Sequence, residues 1–134
     1  MARYVIDAPT LVYLVDEDLT IDPGHQLVAP SAIRTQALEL LLRDVRDGRR
    51  SEREALARHD TMTGLRMRLL GDRVSRRTAW KLARERGWDS LRDAEYLAVT
   101  VLQADAFVTI DPAMVAAADG VVRVASVDEL GSPV

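Results

Sequence analysis

With 134 residues, 48% of them hydrophobic, the chain has the size of one ordinary domain and enough apolar material to close a core without metals or disulfides. It has no cysteine and only His25 and His59, which argues against a disulfide framework, a thiol nucleophile and a histidine-rich zinc site, so any metal must be held by oxygen. The net charge is −3, yet residues 66–86 carry eight basic side chains against Asp72 and Glu85, so one face can attract phosphate while the whole chain does not.

In chain order, Arg3 to Ile6 reads as a short buried strand, and Ala8 to Val15 as an apolar segment that Pro9 can open as a helix. Asp16 to His25 is a loop, and Leu27-Val28-Ala29 a brief apolar stretch. Pro30 and Ser31 start a helix with the core stripe Ile33, Ala37, Leu40, Leu41 and Val45, ended by Gly48. Ser51-Glu52-Arg53-Glu54 resembles a capping box and predicts a long helical segment, open to interruption near Gly64 and ended by Gly71-Asp72. Ser75 to Arg86 is the next helix, stopped by Gly87. Ser90 to Asp93 is a second capping-box-like start, leading to an apolar side made of Ala94, Leu97, Ala98, Val101 and Leu102. The period then changes: Ala106 to Ile110 is a strand, Asp111-Pro112 begins a short helix through Ala117, and Val121 to Val124 is a final strand before a polar tail. Strands separated by helices predict an α/β layer fold with a parallel sheet. The N-terminus has no secretory pattern and no run reaches about 20 apolar residues, so a soluble cytoplasmic protein is expected.

Three aspartates stand at junctions: Asp7 after the first strand, Asp93 in a helix start, and Asp111 after Phe107-Val108-Thr109-Ile110. Each has a structural explanation as a helix cap or first-turn acid, where it meets backbone amides and the positive end of the dipole. Jointly they say more, because ligands of open α/β sheets bind at the carboxyl ends of strands. If the two strands are neighbours, converging carboxylates repel and raise at least one pKa unless a divalent cation compensates. Magnesium suits hard oxygen ligands and shares its shell with water and phosphate, and such a site can hydrolyse a phosphodiester with a metal-activated water.

The stretch RDAEYLAVTVLQADAFVTID resembles the hallmark of PIN-domain ribonucleases: an Asp-Ala-x-Tyr helix, a short loop, and a strand ending in Thr-x-Asp. RYVIDAPTLVYL is similar to that family's first strand and acid, and LVAPSAIRTQALELLLRDVRDG to the helix that usually brings a glutamate. The resemblance covers nearly the whole chain. It implies a PIN-like three-layer fold, a central parallel sheet of four to five strands flanked by helices, over residues 1–130, with 131–134 as a flexible tail. It also implies an Mg²⁺- or Mn²⁺-dependent endoribonuclease of the VapC type, the toxin of a toxin–antitoxin pair. An RNA substrate, an antitoxin that inserts a basic side chain into the pocket, and a homodimer are the partners implied.

Matched by position, Asp7, Asp93 and Asp111 fall on the family's metal-associated acids. The usual glutamate falls on Gln36, with Glu39 one turn later; Gln36 borders the apolar stripe, whereas Glu39 lies toward solvent and can pair with Arg43. An amide can bind water or a cation through its carbonyl but brings no charge and cannot act as a base. Pro9 occupies the place where the family commonly has a small hydroxyl or amide residue, and Thr10 follows it. Thr10 and Thr109 are candidates for supporting the acids, the competing reading being a buried threonine satisfied by backbone. Arg73, Arg76, Arg77, Lys81 and Arg84 are the cluster best suited to an RNA backbone, against the alternative of stems that cover apolar surface and pair with Asp72 and Glu85. Tyr96 and Trp88 can stack on bases, with core packing as the safer reading. The rival function is a catalytically degenerate PIN domain that binds RNA or protein without cutting. A phosphoacceptor receiver needs an acidic pair after its first strand and a late lysine, and the only lysine is Lys81.

Overall fold

The computed structural model describes residues 2–133. The first apolar run forms strand β1 (Ala2–Ile6), in which Tyr4, Val5 and Ile6 are all buried, as happens when both faces of a parallel sheet are covered. Asp7 ends the strand and caps helix α1 (Ala8–Asp16), with Pro9 in the first turn, where no backbone donor is needed. The brief apolar stretch is the middle of a six-residue strand, β2 (His25–Pro30).

Helix α2 (Ile33–Arg46) buries Ile33, Ala37 and Leu41, one residue per turn on a single face. Helix α3 (Glu52–Gly64) starts at Ser51, whose hydroxyl accepts from the Glu54 amide at 3.0 Å. The helix does not run on to Gly71. Residues Arg68–Leu70 form strand β3, paired with β2, because extended pairing satisfies their backbone and packs Leu69 and Leu70 against the core. The Ser31 amide donates to the Leu70 carbonyl at 2.8 Å, so Ser31 tethers the two strand ends and α2 begins two residues later than the sequence suggests.

Helix α4 (Arg73–Arg86) is capped by Asp72, which accepts from the Ser75 amide, and ends at Gly87 in the left-handed region (φ 70). In helix α5 (Arg92–Gln103) the expected capping box is absent: Leu91 holds the cap position and Ser90 Oγ accepts from the Arg92 amide instead. Its buried residues include Ala94, Leu97, Ala98 and Val99, whereas Val101 and Leu102, expected inside, are exposed. Strand β4 is paired only over Ala106–Val108, and helix α6 (Pro112–Ala118) follows. The final strand, β5, lies at Val124–Ala125 rather than 121–124, because the Val121 and Val122 amides turn back onto the Ala118 carbonyl. A 3-10 helix (Val127–Gly131) with a Ser126/Glu129 capping box buries Leu130, and His25 Nε2 donates to the Ser132 carbonyl. Val134, the last residue of the expected tail, lies outside the described residues.

The strands form one parallel sheet of order β3-β2-β1-β4-β5, five strands within the four to five expected. Phe107, Ile6, Leu11, Ile33, Leu41 and Leu97 are fully buried in the main core, each contributing roughly 1.5–3 kcal/mol by leaving water. A smaller cluster of Ala79, Ala83, Ala94 and Ala98 joins α4 to α5. Asp16 binds Arg50 through two bonds of 2.7 and 2.8 Å and Arg58 at 3.0 Å, while Arg50 Nε reaches Asp44 at 2.9 Å, linking α1, α2 and α3. The chain turns one way from β1 to β2 and arrives on the other side of β1 with β4. That reversal places a topological switch point at the carboxyl ends of β1 and β4. No helix among the described residues is long and apolar enough to cross a membrane.

Candidate functional site

Asp7 and Asp111 leave the sheet at that switch point. Asp7 is 2% exposed, and its carboxylate is held from both sides. Thr10, buried on α1, donates its amide at 3.2 Å and its hydroxyl to Oδ1, while Thr109 Oγ1 donates to Oδ2 at 2.6 Å. The two hydroxyls also accept, Thr10 from the Ile110 amide and Thr109 from the Asp111 amide. One network therefore locks the ends of β1 and β4 together and aims the carboxylate. The threonines are satisfied largely by Asp7 and not by local backbone alone. Burial raises the Asp7 pKa despite these bonds, with the nearby Asp111 charge pushing the same way.

Asp111 caps α6 through the Ala113 amide and faces the same pocket. Asp93 comes from the first turn of α5, which packs on β1, β2 and β4. Its pKa is also raised, by partial burial and then by Asp111. The three aspartates, delivered by three separate elements, line one cavity of ≈150 Å³. Gln36 and Glu39 of α2 line it too, Gln36 half-buried and Glu39 exposed, as their helical phase predicts. Gln36 Oε1 accepts from the Tyr96 hydroxyl at 2.6 Å, whereas Glu39 is exposed and forms no ion pair with Arg43 among the described residues. Tyr96 itself is 3% exposed, packs on Phe107, and has its pKa pushed up by burial and by Asp7. It is a wall of the pocket and not a stacking surface.

Hard oxygen donors of this kind fit a divalent cation; the pKa values of Asp7 and Asp93 are raised chiefly by burial, with repulsion from Asp111 adding to it. The arrangement is open: among the described residues no three His, Cys, Asp or Glu side chains already converge closely enough to hold an ion. A divalent cation there would be bound through one or two carboxylates and keep several waters. Asp7, Asp93 and Asp111 are the residues that could hold it.

Arg43 and Arg92 also line the pocket, which the sequence reading did not foresee, although Arg92 adjoins Asp93. The predicted basic cluster is elsewhere: Arg73, Arg76, Arg77 and Lys81 border a shallow depression on α4, and Arg84 lies on the same helix. The expected pairing of this cluster with Asp72 and Glu85 does not occur within 4.0 Å among the described residues.

The sheet order and helical layers define a PIN-like α/β fold with an acidic pocket at its topological switch point. No protein-family model matches the sequence, and no curated protein matches it. Among solved structures, the chain is similar to PAE2754 from Pyrobaculum aerophilum, at a TM-score of 0.74 and 23% identity over 96% of this chain and 93% of that one. It is also similar to a chain of VapBC2 from Rickettsia felis, a structure bound to a DNA fragment from their promoter (TM-score 0.64, 8% identity, 92% and 98% covered). A third likeness is to VapBC-1 from nontypeable Haemophilus influenzae (TM-score 0.60, 13% identity, 92% and 97% covered). At these identities the likeness is one of fold.

Proposed function

We propose that the protein is a divalent-metal-dependent endoribonuclease, the toxin of a toxin–antitoxin pair. The observation that carries this reading is the convergence of Asp7, Asp93 and Asp111 on one pocket at the carboxyl edge of β1 and β4. The likeness of fold to two VapBC structures supports the biological setting. A bound Mg²⁺ or Mn²⁺ supplies charge neutralisation, water activation and stabilisation of the leaving oxygen. Asp7, fixed by Thr10 and Thr109, and Asp111, fixed by the Ala113 amide, supply carboxylates that do not swing away. Asp93, on the first turn of α5, presents its carboxylate beside them. Arg43 of α2 and Arg92 of α5 line the same pocket, where a scissile phosphate needs positive charge. An antitoxin that fills the acidic pocket with a basic side chain, a homodimer and a cytoplasmic location belong to the same reading.

One observation favours a binding module without cleavage. Gln36 stands where a fourth acid is expected, and its carbonyl is already engaged by Tyr96. Incubation of a structured RNA with purified protein, with Mn²⁺ or with EDTA, separates the two. Cleavage that needs the cation and is lost in Asp93→Asn, with the circular dichroism spectrum unchanged, supports the nuclease; RNA left whole under every condition contradicts it.

A further inference from the structure

The basic residues of α4 are organised around an aromatic ring. Trp80 is 61% exposed in the middle of this helix and borders the shallow depression together with Arg73, Arg77 and Lys81. At 100° per residue, Arg73, Arg77, Trp80 and Arg84 fall within about 60° of arc, and Lys81 flanks them. The opposite face carries Ser75, Ala79 and Ala83 into the interior, so this stripe points to solvent. Between Arg73 and Arg86 there are six basic residues against Glu85 alone, on a chain whose net charge is −3. None of Arg73, Arg77, Lys81 and Arg84 forms an ion pair among the described residues. A solvated helix face has no use for an exposed tryptophan within uncompensated positive charge, whereas a flexible polyanion with flat bases matches both.

We infer that the α4 face is a binding track for single-stranded RNA, on which a base stacks on Trp80 while Arg73, Arg77, Lys81 and Arg84 take the flanking phosphates. This rests on the ribonuclease reading for the choice of nucleic acid. The track leads to the acidic pocket: Leu91 borders the α4 depression, and the next two residues, Arg92 and Asp93, line the pocket. The α4 N-terminus also follows β3 directly at the carboxyl edge of the sheet, where Asp7 and Asp111 emerge. A strand held on α4 is thereby delivered toward the aspartates without duplex structure being read. A second copy of the chain is a poor occupant, because two-fold pairing through this face sets arginine against arginine.

The test is fluorescence anisotropy with a labelled single-stranded oligouridylate in metal-free buffer, so that binding is read without cleavage, using wild type, Trp80→Ala, Trp80→Phe and Arg77→Gln. Removing the ring should weaken binding about tenfold or more, and phenylalanine should restore most of it. Arg77→Gln should reduce the slope of log affinity against log salt by about 0.7, the value for one single-strand phosphate contact. Since Trp80 is mainly exposed, the variants fold, which thermal melting checks. Equal affinity of wild type and Trp80→Ala, or an oligomer that dissociates in Trp80→Ala while RNA affinity stays the same, overturns the track. Preference for an acidic peptide over the oligonucleotide overturns it as well. Cleavage is scored separately with Mn²⁺: intact RNA there, with Trp80-dependent binding preserved, defeats the nuclease reading and leaves the track standing.

Discussion

Replacement of Asp7 by asparagine should separate what the pocket costs the fold from what it provides for chemistry. Asp7 is buried, and burial raises its pKa in spite of three hydrogen bonds from Thr10 and Thr109. A raised folded pKa means that the ionised carboxylate opposes folding at neutral pH. That penalty fades as pH falls through the folded value and is gone below the unfolded one. Asparagine is as good an N-cap as aspartate, its carbonyl keeps the Thr10 bonds, and Thr109 Oγ1 can rotate to accept from its amide. In EDTA at pH 7.5 Asp7→Asn should therefore melt above wild type, and the gap should narrow as the buffer is acidified. With Mn²⁺ at about 100 times its Kd the order should reverse. Binding to the folded state alone adds about 2.7 kcal/mol to wild type, which for a chain of this size raises Tm by about 10 °C, whereas the asparagine variant should gain almost nothing. Differential scanning fluorimetry across this grid reads both effects. A variant that melts below wild type in EDTA, or that keeps the full Mn²⁺ shift, would refute the reasoning.

Gln36→Glu should restore an acidic fourth position: the new carboxylate still accepts from Tyr96, and its charge should tighten Mn²⁺ binding roughly tenfold by calorimetry, with weaker or equal binding as the contrary result. Arg50→Ala should cost about 1–2 kcal/mol in denaturant unfolding, since Asp44 loses its partner while Asp16 keeps only Arg58, and RNA cleavage is unaffected below the melting range. Asp16 is held below the ordinary carboxylate range chiefly by its Arg50 hydrogen bonds, so the stability from this pair is present at neutral pH and lost as pH falls through the depressed pKa. Acid titration of wild type against Arg50→Ala checks that sign, and identical acid midpoints would contradict it.

The parts of the fold visible in the sequence were those in which one residue type has one physical role. Asp7 and Asp111 follow apolar strands and precede proline-containing first turns, so strand end, helix start and acidic pair are encoded within a few residues. Strand β3 was hidden because Arg68–Leu70 is a three-residue edge strand that prolongs a helical pattern, and only its pairing with β2 makes it extended. The Ser90 box failed because Ser90 Oγ bonds the Arg92 amide, and of the expected inward side of α5 only Val101 and Leu102, in its last turn, came out exposed, while Ala94, Leu97 and Ala98 are buried as expected. Within the site, Gln36 and Glu39 were legible as neighbours of the acids, but the Gln36–Tyr96 bond joins residues 60 apart and has no local signature. Trp80 was not singled out in the sequence, where Tyr96 and Trp88 were the stacking candidates, because its exposure can be read only from the packed structure.

Isothermal titration of Mn²⁺ into wild type and Asp93→Asn, with RNA cleavage followed in the same buffers, tests the central claim most directly. Because Asp7, Asp93 and Asp111 line one pocket, wild type should bind the ion and cut, and the variant should lose both while remaining folded. Binding and cleavage that persist unchanged in Asp93→Asn, or a wild type that neither binds the ion nor cuts RNA, would contradict a metal nuclease centred on Asp7, Asp93 and Asp111.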